Sequence, residues 1–173
     1  MCQMTRSTPV RVHAIGARMC EEIDADMYNY GQLQVIFEDG SVGWYESGWG
    51  PMMSETAYFV KDAIGPNGSV SLVEPNGDGE TGSADIDSHT KTNCLLRHHA
   101  DLDDSGNFVK QDISIDTSDE PDHQELCNRE QTFFLRAIQE DLDLSDHLQD
   151  AINSLRIVLA ADESVRTGQV VKL

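Results

Sequence analysis

Residues 145 to 173 read SDHLQDAINSLRIVLAADESVRTGQVVKL, and the spacing of their apolar side chains decides the fold. Leu148, Ala151 with Ile152, Leu155, Val158 with Leu159, Ala161 and Val165 return every three or four residues, the period of one helix face. Ser145 is of the type that caps a helix start, its oxygen accepting a backbone N–H left over in the first turn. Gly168 stands where helices commonly end in a left-handed residue, and Gln169 to Leu173 read as a short closing strand. One step upstream, Leu126, Phe133, Phe134, Ala137 and Ile138 make a second stripe, with Ser118 or Asp119 as its cap and Pro121 suited to its first turn.

Before Asp119 the period is two. Val10, Val12 and Ala14 alternate with Arg11 and His13, and Leu33, Val35 and Phe37 alternate with Gln32, Gln34 and Glu38. Such alternation turns one face of a strand toward a core and the other toward water. Asp39-Gly40 predicts a hairpin turn because both central positions tolerate positive φ; Val42 to Trp49 is the return strand. Further strands are expected at TAYFVKDAI (56–64), SVSLVE (69–74), TNCLLRH (92–98) and NFVKQDISI (107–115). Strands first and helices afterwards predict an α+β fold: an open, predominantly antiparallel sheet with two C-terminal helices packed on one face. Trp44, Tyr45, Trp49, Tyr58 and Phe59 require a cover for the other face, since a large apolar patch is seldom left bare in a monomer.

A chain of 173 residues suffices for one domain with its own core. Thirty-one acidic residues against 12 basic ones give a formal net charge of -19, which repels nucleic acid and anionic lipid, so neither is an expected partner. No run approaches the ~18 apolar residues of a membrane helix. MCQMTRSTPVRVH lacks the apolar stretch of a secretion signal, and the expected location is cytoplasmic. Cys2, Cys20, Cys94 and Cys127 are widely spaced and predict neither a disulfide framework nor a zinc site.

GDGETG, residues 77 to 82, matches G-x-G-x-x-G after an expected strand. A dinucleotide fingerprint needs a helix whose N-terminus faces the phosphates. SADIDSHTK has no helix face, and Asp78, Glu80, Asp85 and Asp87 would meet a phosphate as carboxylates, so the stretch reads as an acidic loop. DLDDSGNFVKQD (101–112) matches a calcium loop at Asp101, Asp103, Ser105, Gly106 and Asp112. Its flanks read as strands, and Asp112 replaces the usual glutamate; a hairpin turn is the better reading. His98 and His99 are neighbours on a strand and point to opposite faces. His123 and Cys127 share a helix face, but no third ligand accompanies them, and no metal site is expected. With no G-x-S-x-G elbow and no Walker loop, no catalytic residue is assigned.

The last third carries an ordered pattern: Glu130, Phe134, Ala137-Ile138, Asp150-Ala151, Ser154-Leu155, Ile157, Ala160-Ala161, Ser164, Gly168, Val171 and Leu173. Together with PVRVHAIGAR (9–18) and LQVIFEDGSVGWYESGW (33–49), it resembles the C-terminal domain of the Gfo/Idh/MocA oxidoreductases, the glucose-fructose oxidoreductase and inositol dehydrogenase family. The resemblance runs from about Pro9 to Leu173. It implies a tail at 1–8 and, over 9–173, a domain that shapes the substrate pocket and forms the dimer. In such enzymes an N-terminal Rossmann domain holds NAD(P); that domain, the lysine of the family's E-K-P motif and its D-x-x-x-H pair have no counterpart in this sequence. The resemblance therefore implies NAD(P) for the intact family enzyme and none bound by this chain alone.

As partners the resemblance implies a second copy, forming a homodimer through the open sheet face, and a Rossmann domain carried separately. For the pocket wall it points to Trp49 and Glu55 at the end of the hairpin and His123 on the first long helix, facing a sugar or polyol. Each also has an ordinary reading: sheet packing for Trp49, a solvated loop acid for Glu55, a surface residue at a helix start for His123. The expected function is that of the substrate-binding and dimerisation domain of an NAD(P)-dependent sugar or cyclitol (inositol-like) dehydrogenase, transferring no hydride alone. The alternative is a non-catalytic oligomerisation or carbohydrate-binding scaffold derived from that domain.

Overall fold

The structure, a computed structural model, describes residues 1–50, 61–73 and 92–173. Among them the elements run α1 (Cys2–Thr5), β1 (Pro9–Ala17), β2 (Tyr30–Phe37), β3 (Val42–Gly48), β4 (Asp62–Gly65), β5 (Gly68–Leu72), β6 (Asn93–His99), β7 (Ile113–Thr117), α2 (His123–Glu140), α3 (Ser145–Thr167) and β8 (Val171–Lys172). The fold is α+β, open and antiparallel with two long C-terminal helices, as the sequence predicts, but its strands make two sheets where one is expected. The strands form two four-stranded sheets, and the chain divides into two units: Met1–Met53 with Ala137–Leu173, and Ser54–Arg136.

In the first unit the sheet order is β3-β2-β1-β8. The pairs Val12↔Val35 and Ala14↔Leu33 lie on the face that meets α3, while His13↔Gln34 and Gln34↔Trp44 lie on the other. Val12, Ala14, Val35 and Phe37 close a core with Ile157, Ala160 and Ala161 of α3 and with Cys2. Residues 1–8, expected as a tail, thus contribute a helical turn with a buried side chain to the core.

Near Ala14 the helix approaches closely because its contact residues there, Ala160, Ala161 and Ser164, are small. Ser164, fully buried, accepts the Ala14 N–H on Oγ at 2.9 Å and donates to the Gln169 carbonyl at 2.6 Å. β8 pairs with β1 only at Arg11 and Val12, so at Ala14 the hydroxyl takes the place of a neighbouring strand.

Four local expectations differ from what is observed. The β2–β3 turn places only Gly40 at positive φ, 86°; Phe37 donates to the Ser41 carbonyl across a three-residue loop that ends in a left-handed glycine. At the start of α2 the capping oxygen belongs to Asp122, which accepts the Glu125 N–H at 2.8 Å, and not to Ser118 or Asp119. Ser145 is the first residue of α3 rather than its cap, and its N–H and hydroxyl are taken up by Asp143. The apolar stripe expected to pack is largely outward: Leu148, Leu155, Val158 and Leu159 are exposed, and the buried face is Asn153, Ile157, Ala160, Ala161 and Ser164. Gly168 at φ 67° ends the helix as predicted, its N–H bonded to the Ser164 carbonyl.

The second unit holds the sheet β4-β5-β6-β7, each neighbour antiparallel. Residues 107–115, expected as one strand, supply β7 only from Ile113; the segment before it is the turn anticipated in place of a calcium loop. There Asp103 Oδ1 accepts the N–H groups of Ser105 and Asn107, both at 2.9 Å, and Gly106 takes φ 81°. Asp101 pairs with Lys110 at 3.0 Å and Asp112 with His98 at 2.7 Å, so these carboxylates are spoken for within the turn and its neighbouring strand. GDGETG, Tyr58 and Phe59 lie outside the described residues.

Candidate functional site

Side chains alternate along a strand, so Tyr45 and Ser47 of β3 share a face, and Trp49 continues that alternation one residue past the strand's end. The helix α3 packs on β1, and β3 lies two strands away at the sheet edge. Tyr45 and Trp49 consequently remain 54% and 59% exposed on the helix side of the sheet. With Tyr28, Ala161 and Val165 they line an open groove of about 230 Å³. The groove is thus floored by strand backbone, walled on one side by α3 and on the other by aromatic rings.

Gly16 makes room for the wall. A Cβ there would fall 2.9 Å from the Tyr28 ring and 3.0 Å from the Val165 side chain. The Tyr28 hydroxyl reaches Asp162 Oδ1 at 3.4 Å, and Arg166 Nε donates to the other oxygen of that carboxylate at 2.8 Å. Burial raises the Tyr28 hydroxyl above its ordinary range, and the negative charge of Asp162 adds to the rise. The hydrogen bond from Arg166 holds Asp162 below its ordinary range. Tyr28 is therefore a neutral hydroxyl at physiological pH, and the groove offers rings and uncharged polar groups rather than a cationic cradle for phosphate.

Of the residues singled out in the sequence, Trp49 sits in this groove. His123 opens α2 in the second unit, its Nε2 3.5 Å from Cys127 Sγ, which is the one-turn pairing that their spacing predicts. Glu55 lies outside the described residues. Tyr28, Tyr45 and Ser47 were not assigned to a site from sequence. The signal for Tyr45 and Ser47 was their i, i+2, i+4 relation to Trp49; for Tyr28, which reaches the groove from the loop before β2, no sequence period marks it.

No family model and no curated protein matches the chain. Solved structures do. An oxidoreductase from Agrobacterium radiobacter, in complex with NAD+, L-tartaric acid and magnesium, superposes with a TM-score of 0.66 at 13% identity, over 99% of this chain and 45% of that one. The aldose-aldose oxidoreductase of Caulobacter crescentus, complexed with glycerol, gives a TM-score of 0.65 at 15% identity, over 99% of this chain and 43% of that one. The chain therefore spans less than half the length of the structures it matches. At the level of fold, this chain is like one portion of each of these two oxidoreductases, which agrees with the oxidoreductase-domain fold expected from the sequence.

Proposed function

We propose that this chain is the substrate-binding and dimerisation part of an NAD(P)-dependent sugar or cyclitol dehydrogenase, with the cofactor held by a Rossmann domain outside it. The observation that carries the reading is the groove of Tyr28, Tyr45, Ser47 and Trp49. Aromatic rings beside hydroxyls suit the C–H faces and hydroxyl edges of a polyol, and the groove lies below the roughly 300–1,000 Å³ typical of sites for drug-sized ligands. The two structural relatives were solved with tartaric acid and glycerol, both small polyhydroxylated molecules.

Hydride transfer needs the cofactor's reactive carbon held against the substrate and a base at the hydroxyl that loses its proton. This chain's contribution is the orientation of the substrate: rings to fix its plane, Ser47 and the Tyr28 hydroxyl as candidates to set its rotation. Dimerisation is assigned to the outer face of the first sheet, where Ile15, Val42 and Trp44 are exposed among Gln32, Gln34 and Glu46. Calorimetry against a panel of aldoses and cyclitols should give binding that Trp49→Ala abolishes, and sedimentation should give a dimer that Trp44→Glu dissociates. A monomer with no polyol binding contradicts the proposal. Polyol binding by a chain that supports no turnover when a Rossmann partner is supplied would favour the carbohydrate-binding scaffold.

A further inference from the structure

We propose that Asn29 is the positioning residue that holds Trp49 in the groove; the inference deepens the reading of that groove as a polyol site and rests on it for its functional meaning. Trp49 follows the last residue of β3, where the β2–β3 register runs on past Tyr30↔Gly48 to set it opposite Asn29, with no further ladder beyond it. The residue is more than half exposed, so burial does not fix it. What holds it is Asn29, itself 2% exposed. The Trp49 N–H donates to the Asn29 backbone carbonyl at 2.9 Å. The Trp49 carbonyl accepts from Asn29 Nδ2 at 2.7 Å. Both backbone polar groups of the tryptophan therefore end on one residue, and with them the direction of its Cα–Cβ bond is set.

Asn29 is in turn anchored to the far side of the strand ends. Its Oδ1 accepts the Met19 N–H at 2.8 Å and its backbone N–H donates to the Ala17 carbonyl at 3.2 Å. A primary amide is the one side chain of this size with a donor and an acceptor side by side, and here the acceptor meets an N–H while the donor meets a carbonyl. Aspartate at this place keeps the bond to Met19 but turns a second oxygen toward the Trp49 carbonyl. Alanine loses these bonds, together with the one from Nδ2 to Cys20 Sγ at 3.4 Å, and leaves the Met19 and Trp49 groups without their Asn29 side-chain partner.

The chain has two tryptophans, Trp44 and Trp49, which allows a differential test. In a Trp44→Phe background, fluorescence reports Trp49 alone; in a Trp49→Phe background it reports Trp44 on the opposite face of the sheet. The expected result is that Asn29→Ala and Asn29→Asp lower the anisotropy of Trp49 and raise its quenching by acrylamide, while Trp44 is unchanged. In the polyol titration both variants should then lose as much affinity as Trp49→Ala. An unchanged Trp49 signal, or equal changes at both tryptophans, overturns the proposal, the second because it marks a general loosening of the sheet. Should neither variant fold, hydrogen exchange of the unaltered chain decides: a protected Met19 amide, which is bonded to the Asn29 side chain, supports the clamp, and exchange at the rate of an exposed loop refutes it. Absence of polyol binding by the unaltered chain sinks the proposed function and leaves the fluorescence arm to judge the clamp.

Discussion

Ser164 is a hydroxyl with no exposed surface, on the contact face it shares with Ile157, Ala160 and Ala161, and it is satisfied by the backbone of β1 and of the segment after α3. Removing it leaves a buried N–H without its acceptor, which costs about 1–3 kcal/mol. Ser164→Ala should lower stability in urea by that amount. Ser154→Ala, whose exposed hydroxyl bonds only the Asp150 carbonyl, should stay within about 0.5 kcal/mol. A second residue-scale prediction concerns acid. The N–H of Asn107, with that of Ser105, holds the Asp103 carboxyl below its ordinary range. A carboxylate lowered in the folded state contributes stability above its unfolded value, and that contribution is lost as pH falls through the folded value. Asp103→Asn should therefore flatten the decline of stability below about pH 4, where unfolded aspartates titrate, without changing the neutral plateau's slope. Both residues were visible in the sequence, Ser164 within the family pattern and Asp103 in a turn, but their partners were not: a contact across 150 positions leaves no periodic trace.

At the scale of elements, α3 teaches how far periodicity reaches. Its helical character and its end at Gly168 were legible, yet the face that packs was not. At about 100° per residue, Leu148, Ile152, Leu155 and Leu159 lie opposite Ile157, Ala160 and Ser164. The large side chains make the stronger stripe, but the sheet selects the small ones, since alanine and serine let the helix come near enough to β1 for a hydroxyl to reach its backbone. Hydropathy ranks the first stripe higher, and only the requirement of close approach favours the second. Ile157→Ala should cost about 2–5 kcal/mol by the opening of a core cavity. Leu155→Gln and Leu159→Gln should change stability by no more than about 0.5 kcal/mol and should reduce binding of a hydrophobic dye. Equal losses at Ile157 and Leu155 in chemical denaturation would mean that the helix turns Leu155, and not Ile157 alone, toward the sheet.

For the whole molecule, charge and exposed apolar surface pull in different directions. A net charge of -19 opposes both compaction and self-association, and the pairs Lys110–Asp101, Arg129–Glu125 and Arg166–Asp162 are exposed ones that contribute little. Screening should win over their loss: the melting temperature at pH 7 is expected to rise between about 0.1 M and 1 M salt, as the Debye length falls from about 10 to 3 Å, with a fall marking the ion pairs as dominant. The α+β plan and the place of Trp49 at the end of the hairpin were readable from period and turn chemistry. The groove was not, because it depends on Tyr28 arriving from a loop and on a glycine at position 16 that admits its ring. The measurement that tests the account most directly is an NMR titration of the purified chain with aldoses, cyclitols and NAD+ in parallel. The account predicts that a polyol shifts the indole N–H of Trp49 and the ring signals of Tyr28 and Tyr45, and that NAD+ shifts none of them. Binding of NAD+ by this chain, or polyol shifts that bypass the groove, would contradict it.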